Sequence, residues 1–239
     1  MKIVFLNTWS GRIGQPFFDF IKKESKDADV FCLQEVSVSL NLKLDKLLKD
    51  FKGFFEIGGS LPDVGESCGQ VTFLRKSIEN IKSKKILLHE IEAVDIGFLL
   101  LTQFKINDTL INLGNVHGKS KPGNKLDSDI RLNQSRIILD TFKDLEGIKI
   151  IGGDFNLLPN TKSIEMFEKD GFVNLIKKYK IKTTRNSYAW ERFKNRKDYV
   201  KQNFADYVFV SRDIKIKSFE VPQVMISDHN PMILEFDLL

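Results

Sequence analysis

The stretch 148–156, Ile-Lys-Ile-Ile-Gly-Gly-Asp-Phe-Asn, joins a run of isoleucines to an abrupt polar end. Residues 148–152 have the composition of a buried strand, because β-branched residues are enriched in sheets and the run is short. If the chain stays extended beyond the glycines, Asp154 and Asn156 point to the same face. The two glycines would then admit close approach by another backbone or by a phosphate. A simple turn at Gly-Gly-Asp is the competing interpretation.

Other strand-like segments also end in a carboxylate, amide or imidazole, at the point where a sheet would give way to loops. Binding and catalytic sites are commonly built on such edges. Glu35 is the clearest case, because an unpaired glutamate buried at the end of an interior strand is costly and calls for a cation or hydrogen bond. A surface position is the alternative. The polar ends are Asn7, Glu35 and His117, together with Asp228 and His229 directly before the last strand.

Short runs of Val, Ile, Phe and Leu recur along the chain and predict strands. The predicted strands are 2–7, 29–34, 70–75, 98–106, 109–117, 148–152, 205–211, 215–221 and 232–236. Helical spacing of apolar residues predicts helices around 17–21, 44–48 and 130–141. The chain therefore mixes strands and helices throughout.

Only Asn107 and Asp108 separate two of these strands, which favours a hairpin over a helical crossover. The sheets are therefore expected to be mixed. Because no internal repeat and no Pro/Gly/Ser-rich linker interrupts the pattern, residues 1–239 are predicted to form one α/β domain.

The composition is that of a folded globular protein, with 42% hydrophobic and 29% charged residues. Lys and Arg outnumber Asp and Glu by 37 to 32, which is compatible with a polyanionic partner and equally with a solvated basic surface. Cys32 and Cys68 have neither a disulfide framework nor the paired spacing of a zinc site, so a reducing cytoplasm is predicted.

The apolar stretch at the N-terminus is shorter than a signal-peptide core, and no apolar run approaches the roughly 20 residues that cross a bilayer. A soluble protein without membrane insertion is therefore expected. The sequence carries no signature of oligomeric state, and a monomer is assumed.

Six phrases, taken in order, resemble the endonuclease/exonuclease/phosphatase superfamily, and the resemblance runs from Asn7 to Pro231. The phrases are Leu-Asn-Thr-Trp, Leu-Gln-Glu-Val, Asn-Val-His-Gly, Gly-Gly-Asp-Phe-Asn, Ala-Asp-Tyr-Val-Phe-Val-Ser and Ser-Asp-His-Asn-Pro. The resemblance implies an α/β fold, a four-layer α/β/β/α sandwich of two mixed β-sheets flanked by helices (deoxyribonuclease I-like). It also implies a metal-dependent phosphoric ester hydrolase.

By this resemblance Glu35 is the main metal ligand, with Asn7 and Asp228 nearby. Carboxylate and amide oxygens without a cysteine cluster suit a hard ion such as Mg²⁺ or Mn²⁺. The sequence departs from many relatives at Trp9, which stands where they have a second Asp or Asn. That difference reduces the expected set of metal ligands.

The resemblance also implies the catalytic residues. Asp154 would orient or deprotonate the attacking water, while Asn156 and His117 would hydrogen-bond the phosphate. His229 would be the second catalytic imidazole, with Asp206 as its partner, because a carboxylate on one ring nitrogen sets the tautomer presented by the other. Whether His229 acts as a base or as a charged phosphate clamp stays open.

Two basic segments are candidates for substrate binding. Lys119, Lys121 and Lys125 lie in the loop after His117 and could hold substrate phosphates, with a flexible solvated loop as the alternative. Arg131 lies on the following predicted helix, where a structural tie to the site is at least an equal alternative. The stretch 185–197 interleaves basic and aromatic residues, as single-strand binding requires, and contributes Tyr188 and Trp190. A core position for the tryptophan is the alternative.

These features favour a Mg²⁺-dependent phosphodiesterase with nucleic acid as its substrate, acting as an endo- or exonuclease or processing DNA ends. Relatives of the exonuclease III type carry a Trp three residues before the Asp-Tyr pair, where this chain has Asn203, so specificity for abasic sites is not expected. The competing prediction is a phosphatase or phosphodiesterase for a small phosphorylated metabolite or a lipid head group.

Overall fold

The computed structural model describes residues 1–61, 65–89, 97–191, 194–195 and 200–238, whose strands form two six-stranded sheets. The first sheet contains, in spatial order, β11 (Lys215–Glu220), β12 (Met232–Asp237), β1 (Lys2–Asn7), β2 (Val30–Ser37), β4 (Glu66–Arg75) and β3 (Phe51–Leu61). The second sheet contains β5 (Lys82–Leu87), β6 (Phe98–Ile106), β7 (Thr109–His117), β8 (Ile148–Asp154), β10 (Asp206–Val210) and β9 (Val173–Asn174).

Each sheet is mixed, as predicted. β1 pairs with β2 and β7 pairs with β8 in parallel, while the other named pairings are antiparallel. The predicted hairpin between β6 and β7 is confirmed, and its two turn residues, Asn107 and Asp108, have φ of 47° and 64°. Two consecutive positive φ angles match the right-handed twist of the flanking strands, and Asn and Asp tolerate them better than most residues.

Helices cover the outer faces of both sheets. The helices are α1 (Gln15–Glu24), α2 (Val38–Leu47), α3 (Asp129–Lys143), α4 (Lys162–Lys169), α5 (Leu175–Lys178) and α6 (Ser187–Glu191). Phe17 of α1 and Leu44 of α2 belong to one apolar cluster with Val4 of β1, which places both helices on the first sheet. Phe142 of α3 belongs with Ile150 of β8 to the second cluster. The predicted four-layer sandwich is therefore confirmed.

The alternation of side chains along β1 shows how the layers are built. Ile3 and Phe5 belong to the cluster that β1 shares with the second sheet, whereas Val4 and Leu6 belong to the cluster beneath α1 and α2. Because successive side chains point to opposite faces, a strand buried on both faces reads as one continuous apolar run. That property made β1 recognisable from sequence.

Three strands were not predicted, namely β3, β5 and β9. β5 reads Lys-Ser-Lys-Lys-Ile-Leu and lies at the edge of its sheet, where most of its side chains are exposed or half-buried. An edge strand needs no apolar alternation, because neither face has to be fully covered. Within the described part of the chain, no helix combines the length and apolarity that crossing a bilayer requires.

Candidate active site

The polar residues that follow the central strands are brought together by strand register. His117 at the end of β7 is opposite Asp154 at the end of the parallel strand β8, and Asp154 is in turn opposite Asp206 at the start of the antiparallel strand β10. In the other sheet, Asn7 of β1 pairs with Gln34 of β2. Each sheet thus delivers part of the predicted site to one edge.

Buried amides join the two sheets directly below that edge. Gln34 Nε2 donates to Asn115 Oδ1 at 2.7 Å, and Asn115 Nδ2 donates back to the backbone oxygens of Leu33 and Val71. All these groups are buried, where hydrogen bonds between the sheets hold their relative position more strictly than apolar contacts do. The distance between the two halves of the site is therefore set by polar contacts.

Asn7 makes the connection at the level of the site. Its Nδ2 atom donates to Glu35 Oε1 at 3.1 Å and to Asp154 Oδ2 at 3.0 Å, so one amide bridges carboxylates from both sheets. Its own backbone oxygen accepts from the Ser227 hydroxyl at 2.7 Å. Asn7, Glu35 and Asp154 therefore converge, as the sequence predicted.

A β-bulge directs Glu35 into the site. Between Leu33 and Val36 the register against β4 shifts, so that Gln34 and Glu35 oppose the single residue Gln70. Glu35 has φ 51°, and its backbone oxygen accepts from two hydroxyl groups of the segment after β1. Bulges re-aim side chains in this way. The sequence showed that Glu35 follows a strand but gave no sign of the bulge.

The two glycines before Asp154 allow close approach by protein groups. A Cβ on Gly153, which has φ 134°, would lie 2.2 Å from the backbone oxygen of Val116, and one on Gly152 would lie 2.6 Å from the ring of Phe5. Of the alternatives considered from sequence, close backbone approach is the one observed. β8 continues through both glycines to Asp154, so the competing turn at Gly-Gly-Asp was wrong.

His229 is held by the carboxylate that the resemblance implied. Its Nδ1 atom lies 2.9 Å from both carboxylate oxygens of Asp206, and its Nε2 atom lies 3.7 Å from Asp154 Oδ2 and 3.9 Å from Asp228 Oδ1. The Asp206 contact identifies Nδ1 as the donor, which leaves Nε2 directed toward the centre of the site.

The charges of the cluster shift one another's pKa. Burial would raise the pKa of Asp154, but His229, Lys125 and His117 outweigh it and lower that pKa to about 2. Burial would likewise raise the pKa of Glu35, which is lowered instead by His117 and Asn7. Both carboxylates are therefore anionic at neutral pH.

His229 experiences the opposite balance. Burial would lower its pKa, but Asp206, Asp228 and Asp154 together raise the pKa to about 9. The imidazole of the protein without a bound metal is therefore expected to carry a proton at neutral pH.

NMR titration of the metal-free protein should show this directly, because the chain has only three histidines. We expect His229 to titrate near pH 9 and Asp206→Asn to move its pKa toward the ordinary value of about 6.5. The raised pKa stabilises the fold below pH ~6.5, and this contribution is lost as pH rises through about 9. The difference in free energy of unfolding between wild type and Asp206→Asn should shrink over that range. A wild-type His229 that titrates near 6.5 would contradict the assignment.

The carboxylates form a site suited to a divalent ion. Ligand atoms of Glu35, His117 and Asp154 lie within 4.8 Å of one another, and Asp154, Asp206 and His229 form a second such group. The half-buried carboxylate of Glu35 and the buried one of Asp154 share one amide donor and repel each other, and a cation between them would offset that repulsion. The donor set therefore fits a hard metal ion at Glu35.

Asp228 belongs to neither group among the described residues. Its Oδ2 atom forms a salt bridge with Arg185 at 3.0 Å, and both side chains are largely buried. The predicted metal ligand thus has a protein cation as its partner in this structure. Arg185 was not singled out from sequence, although it opens the basic and aromatic stretch that was.

Asn156 lies beyond the end of β8 in a left-handed conformation with φ 54°, not on an extended segment as predicted. Its side chain still joins the site. Oδ1 accepts a hydrogen bond from Lys125 Nζ, and Nδ2 donates to the backbone oxygen of Gly118 at 3.1 Å. Its backbone N–H donates to Asp154 Oδ1 at 2.8 Å, which couples the two residues directly.

Arg131 supports the loop after His117 from a fully buried position. The side chain has 0% exposure and donates to the backbone oxygens of Lys119, Ser120, Pro122 and Leu126. A fully buried guanidinium has no surface for a ligand, so the predicted substrate contact gives way to the structural alternative. Lys119 is also buried, and its backbone N–H donates to Gln134 Oε1 at 3.0 Å.

A cleft of about 1050 Å³ opens above the carboxylates. Glu35, Asp154, Asn156, Asp228 and His229 line it, together with Trp9, Trp190 and the basic residues Arg12, Lys121, Lys125, Arg185 and Lys201. Lys201 Nζ lies 3.6 Å from the ring centroid of Trp190, and Arg12 lies 5.3 Å from that of Trp9.

Only some of the predicted substrate-binding residues line this cleft. Lys121 and Trp190 line it, whereas Lys119, Arg131 and Tyr188 are not among its lining residues. The ring centroid of Tyr188 lies 6.3 Å from that of Trp9, which does line the cleft. In the stretch 185–197, residues 192–193 and 196–197 lie outside the described part of the chain.

Two mixed sheets with carboxylates, amides and imidazoles at their common edge define a deoxyribonuclease I-like α/β sandwich with the residues of a phosphoester hydrolase. The chain belongs to the endonuclease/exonuclease/phosphatase family, whose model matches residues 5–229. Among curated proteins, no sequence matches the chain significantly.

Solved structures with this fold have little sequence in common with the chain. A family member from Bacteroides vulgatus superposes with a TM-score of 0.74 at 19% identity, covering 100% of this chain and 98% of its own. A Bacteroides thetaiotaomicron mannosyl-6-phosphatase gives 0.72 at 17%, covering 100% of both chains. TDP2 of D. rerio, humanized by 14 mutations, gives 0.74 at 17%, covering 100% and 99%.

Proposed function

We propose that this protein is a Mg²⁺- or Mn²⁺-dependent phosphoesterase that hydrolyses phosphodiester bonds in nucleic acid. Glu35 would hold the metal, with Asn7 and Asp228 nearby. When bound, such an ion neutralises phosphate charge and stabilises the leaving oxygen. The anionic state of Glu35 at neutral pH supports this assignment.

The other catalytic roles are assigned to residues around the metal site. Asp154, which its lowered pKa keeps anionic, orients or deprotonates the attacking water. His117 and Asn156 hydrogen-bond the phosphate from the side of the second sheet. His229 faces the site with Nε2 while Asp206 holds Nδ1. A protonated His229 would act as a charged phosphate clamp, and its raised pKa supports that role over a base.

The lining of the cleft is the observation that carries the nucleic-acid assignment. Basic residues and two tryptophans surround the anionic cluster in one cavity. Lys and Arg side chains bind phosphates, and aromatic side chains stack on nucleic-acid bases with little sequence preference. This combination therefore matches a nucleotide chain. The similarity to TDP2 supports the fold and does not bear on the choice of substrate.

A small phosphorylated ester is the second candidate, and one contact favours it. Gln202 Nε2 donates to the backbone oxygen of Gly123 at 2.8 Å, and both residues line the cleft. Two walls of the cleft are therefore joined, which restricts passage of a continuous duplex. Such a cavity suits the end of a nucleic-acid strand or a compact ester better than the middle of a helix.

A substrate panel tests the proposal. Single-stranded DNA, duplex DNA, 5′-tyrosyl DNA, RNA, bis(4-nitrophenyl) phosphate, a hexose phosphate and sphingomyelin are each incubated with Mg²⁺ or with EDTA. We expect turnover of a nucleic acid with Mg²⁺, background rates with EDTA, and a kcat/KM that falls steeply as salt rises, because counterions compete for the basic cleft.

Matched variants define the outcome. Glu35→Gln is expected to lose activity, whereas Glu146→Gln, at an exposed glutamate in another region, should retain it. Turnover restricted to the hexose phosphate or the lipid, with little dependence on salt, would favour the second candidate. Equal rates with Mg²⁺ and EDTA would contradict the metal requirement.

A further inference from the structure

A buried lysine lies in the wall of the cleft, and among the described residues two of its three ammonium donors have no acceptor. Lys125 is only 5% exposed and lines the same cavity as Asp154 and His229. An ammonium group has three donors. Among the described residues, Nζ makes one hydrogen bond, to Asn156 Oδ1, and no salt bridge.

Hydrogen bonds to the backbone on both sides of Lys125 fix the position of its ammonium group. Lys125 has φ 58°, and its backbone oxygen accepts from Leu158 N at 2.9 Å, which fastens it to the segment after Asn156. On its other side, the buried Arg131 donates to the backbone oxygen of Leu126 at 2.7 Å. The lysine is therefore held from both directions.

The contact also determines how Asn156 is presented. A lysine ammonium only donates and a backbone oxygen only accepts, so Lys125 and the oxygen of Gly118 together fix which end of the amide is oxygen and which is nitrogen. One N–H of Asn156 Nδ2 then remains for another acceptor. Two donors of Lys125 and one of Asn156 are left beside each other.

We propose that Lys125 Nζ binds a nonbridging oxygen of the reacting phosphate, next to Asn156, and is a catalytic residue of this enzyme. A buried cation without a carboxylate at salt-bridge distance is costly, and an anionic ligand would reduce that cost. Burial lowers the pKa of Lys125 to about 8, so the group is still charged at neutral pH. The assignment rests on the proposed phosphoesterase function.

The experiment measures binding of inorganic phosphate and turnover of bis(4-nitrophenyl) phosphate by the whole chain. Lys125→Met keeps the length of the side chain and removes the charge. We expect phosphate to bind on the order of 10²-fold more weakly and kcat to fall by a similar factor, since a charge-assisted donor is lost. Lys125→Arg should recover part of both. Lys105→Met, at an exposed lysine toward the opposite end of the β6–β7 hairpin, should change neither.

Asn156→Ala separates direct binding from positioning. If Lys125 binds phosphate itself, Lys125→Met should weaken phosphate binding about 10-fold further in the Asn156→Ala background. No further loss would show that the lysine acts only by orienting Asn156 and would overturn the proposal. So would unchanged phosphate binding by Lys125→Met.

Structure determination of the wild type with phosphate covers the case in which Lys125→Met does not fold. Nζ within about 3 Å of a phosphate oxygen supports the proposal, and phosphate elsewhere, or none in the cleft, overturns it. The phosphate measurements do not require turnover. If the wild type hydrolyses no substrate of the panel, the proposed function fails while the comparison of phosphate binding still tests Lys125.

Discussion

Asp154→Asn is expected to lower kcat/KM on the order of 10³-fold with little change in overall fold. The carboxylate is the centre of the site, because Oδ2 lies 3.0 Å from Asn7 Nδ2, 3.8 Å from His117 Nε2 and 3.7 Å from His229 Nε2. An amide at this position is neutral and cannot accept a proton from water.

The hydrogen bonds make the substitution more disruptive than its size suggests. Asp154 accepts from Asn156 N through Oδ1 and from Asn7 Nδ2 through Oδ2. An asparagine has one oxygen, so whichever bond it keeps, its NH₂ group faces a donor at the other. Loss of the negative charge also lowers the pKa of His229. Both effects act on the site before any substrate binds.

Steady-state kinetics on the best substrate of the panel measures the loss, and circular dichroism with thermal unfolding checks the fold. Asp140→Asn, at an exposed aspartate of α3, is the matched control and should keep wild-type kinetics. A reduction of less than about 10-fold in Asp154→Asn would place the reaction centre elsewhere.

Gly153→Ala is expected to destabilise the protein by about 3 kcal/mol and to remove activity. Gly153 has φ 134°, and an added Cβ would lie 2.2 Å from the backbone oxygen of Val116. That oxygen belongs to β7, which pairs with β8 at this very position, so relief requires the two central strands to separate. The next residue along β8 is Asp154, which would move with the strand.

Gly171→Ala isolates the effect of backbone conformation. Gly171 also has a positive φ, 96°, but nothing lies within 4 Å of the position of its Cβ. The conformational strain alone should cost about 1 kcal/mol. Chemical denaturation of both variants compares the two values. Equal destabilisation would mean that crowding against Val116 contributes nothing.

Elements buried on both faces were predicted closely from sequence. β1, β6 and β7 have the bounds that their apolar runs indicated, and the hairpin at Asn107 and Asp108 was confirmed. The unpredicted β5 lies at a sheet edge, and β9 has only two residues, so their formation depends on a neighbouring strand more than on their own composition. Strand pairing depends on two segments, so the local sequence of one segment is not sufficient to predict it.

The site was predicted in part. The polar strand ends and their order along the chain indicated Asn7, Glu35, Asp154 and His229, and these converge as expected. The lysine-rich loop indicated positive charge without showing which lysine would be buried. Lys119, Lys121 and Lys125 were all candidates from sequence, and the contact of Lys125 Nζ with Asn156 depends on how Arg131 holds the loop.

Local patterns along this chain were sufficient for strand identity, sheet type and the positions where polar groups follow apolar runs, since these depend on neighbours within a few residues. The meeting of the Lys125 ammonium with Asn156, the pairing of Arg185 with Asp228 and the bulge that turns Glu35 inward come from segments far apart in the chain. Such contacts follow from how two sheets pack and how loops are tied over their edge. The pKa shifts of the cluster arise only when these charged groups are buried close to one another, because burial strengthens their interactions.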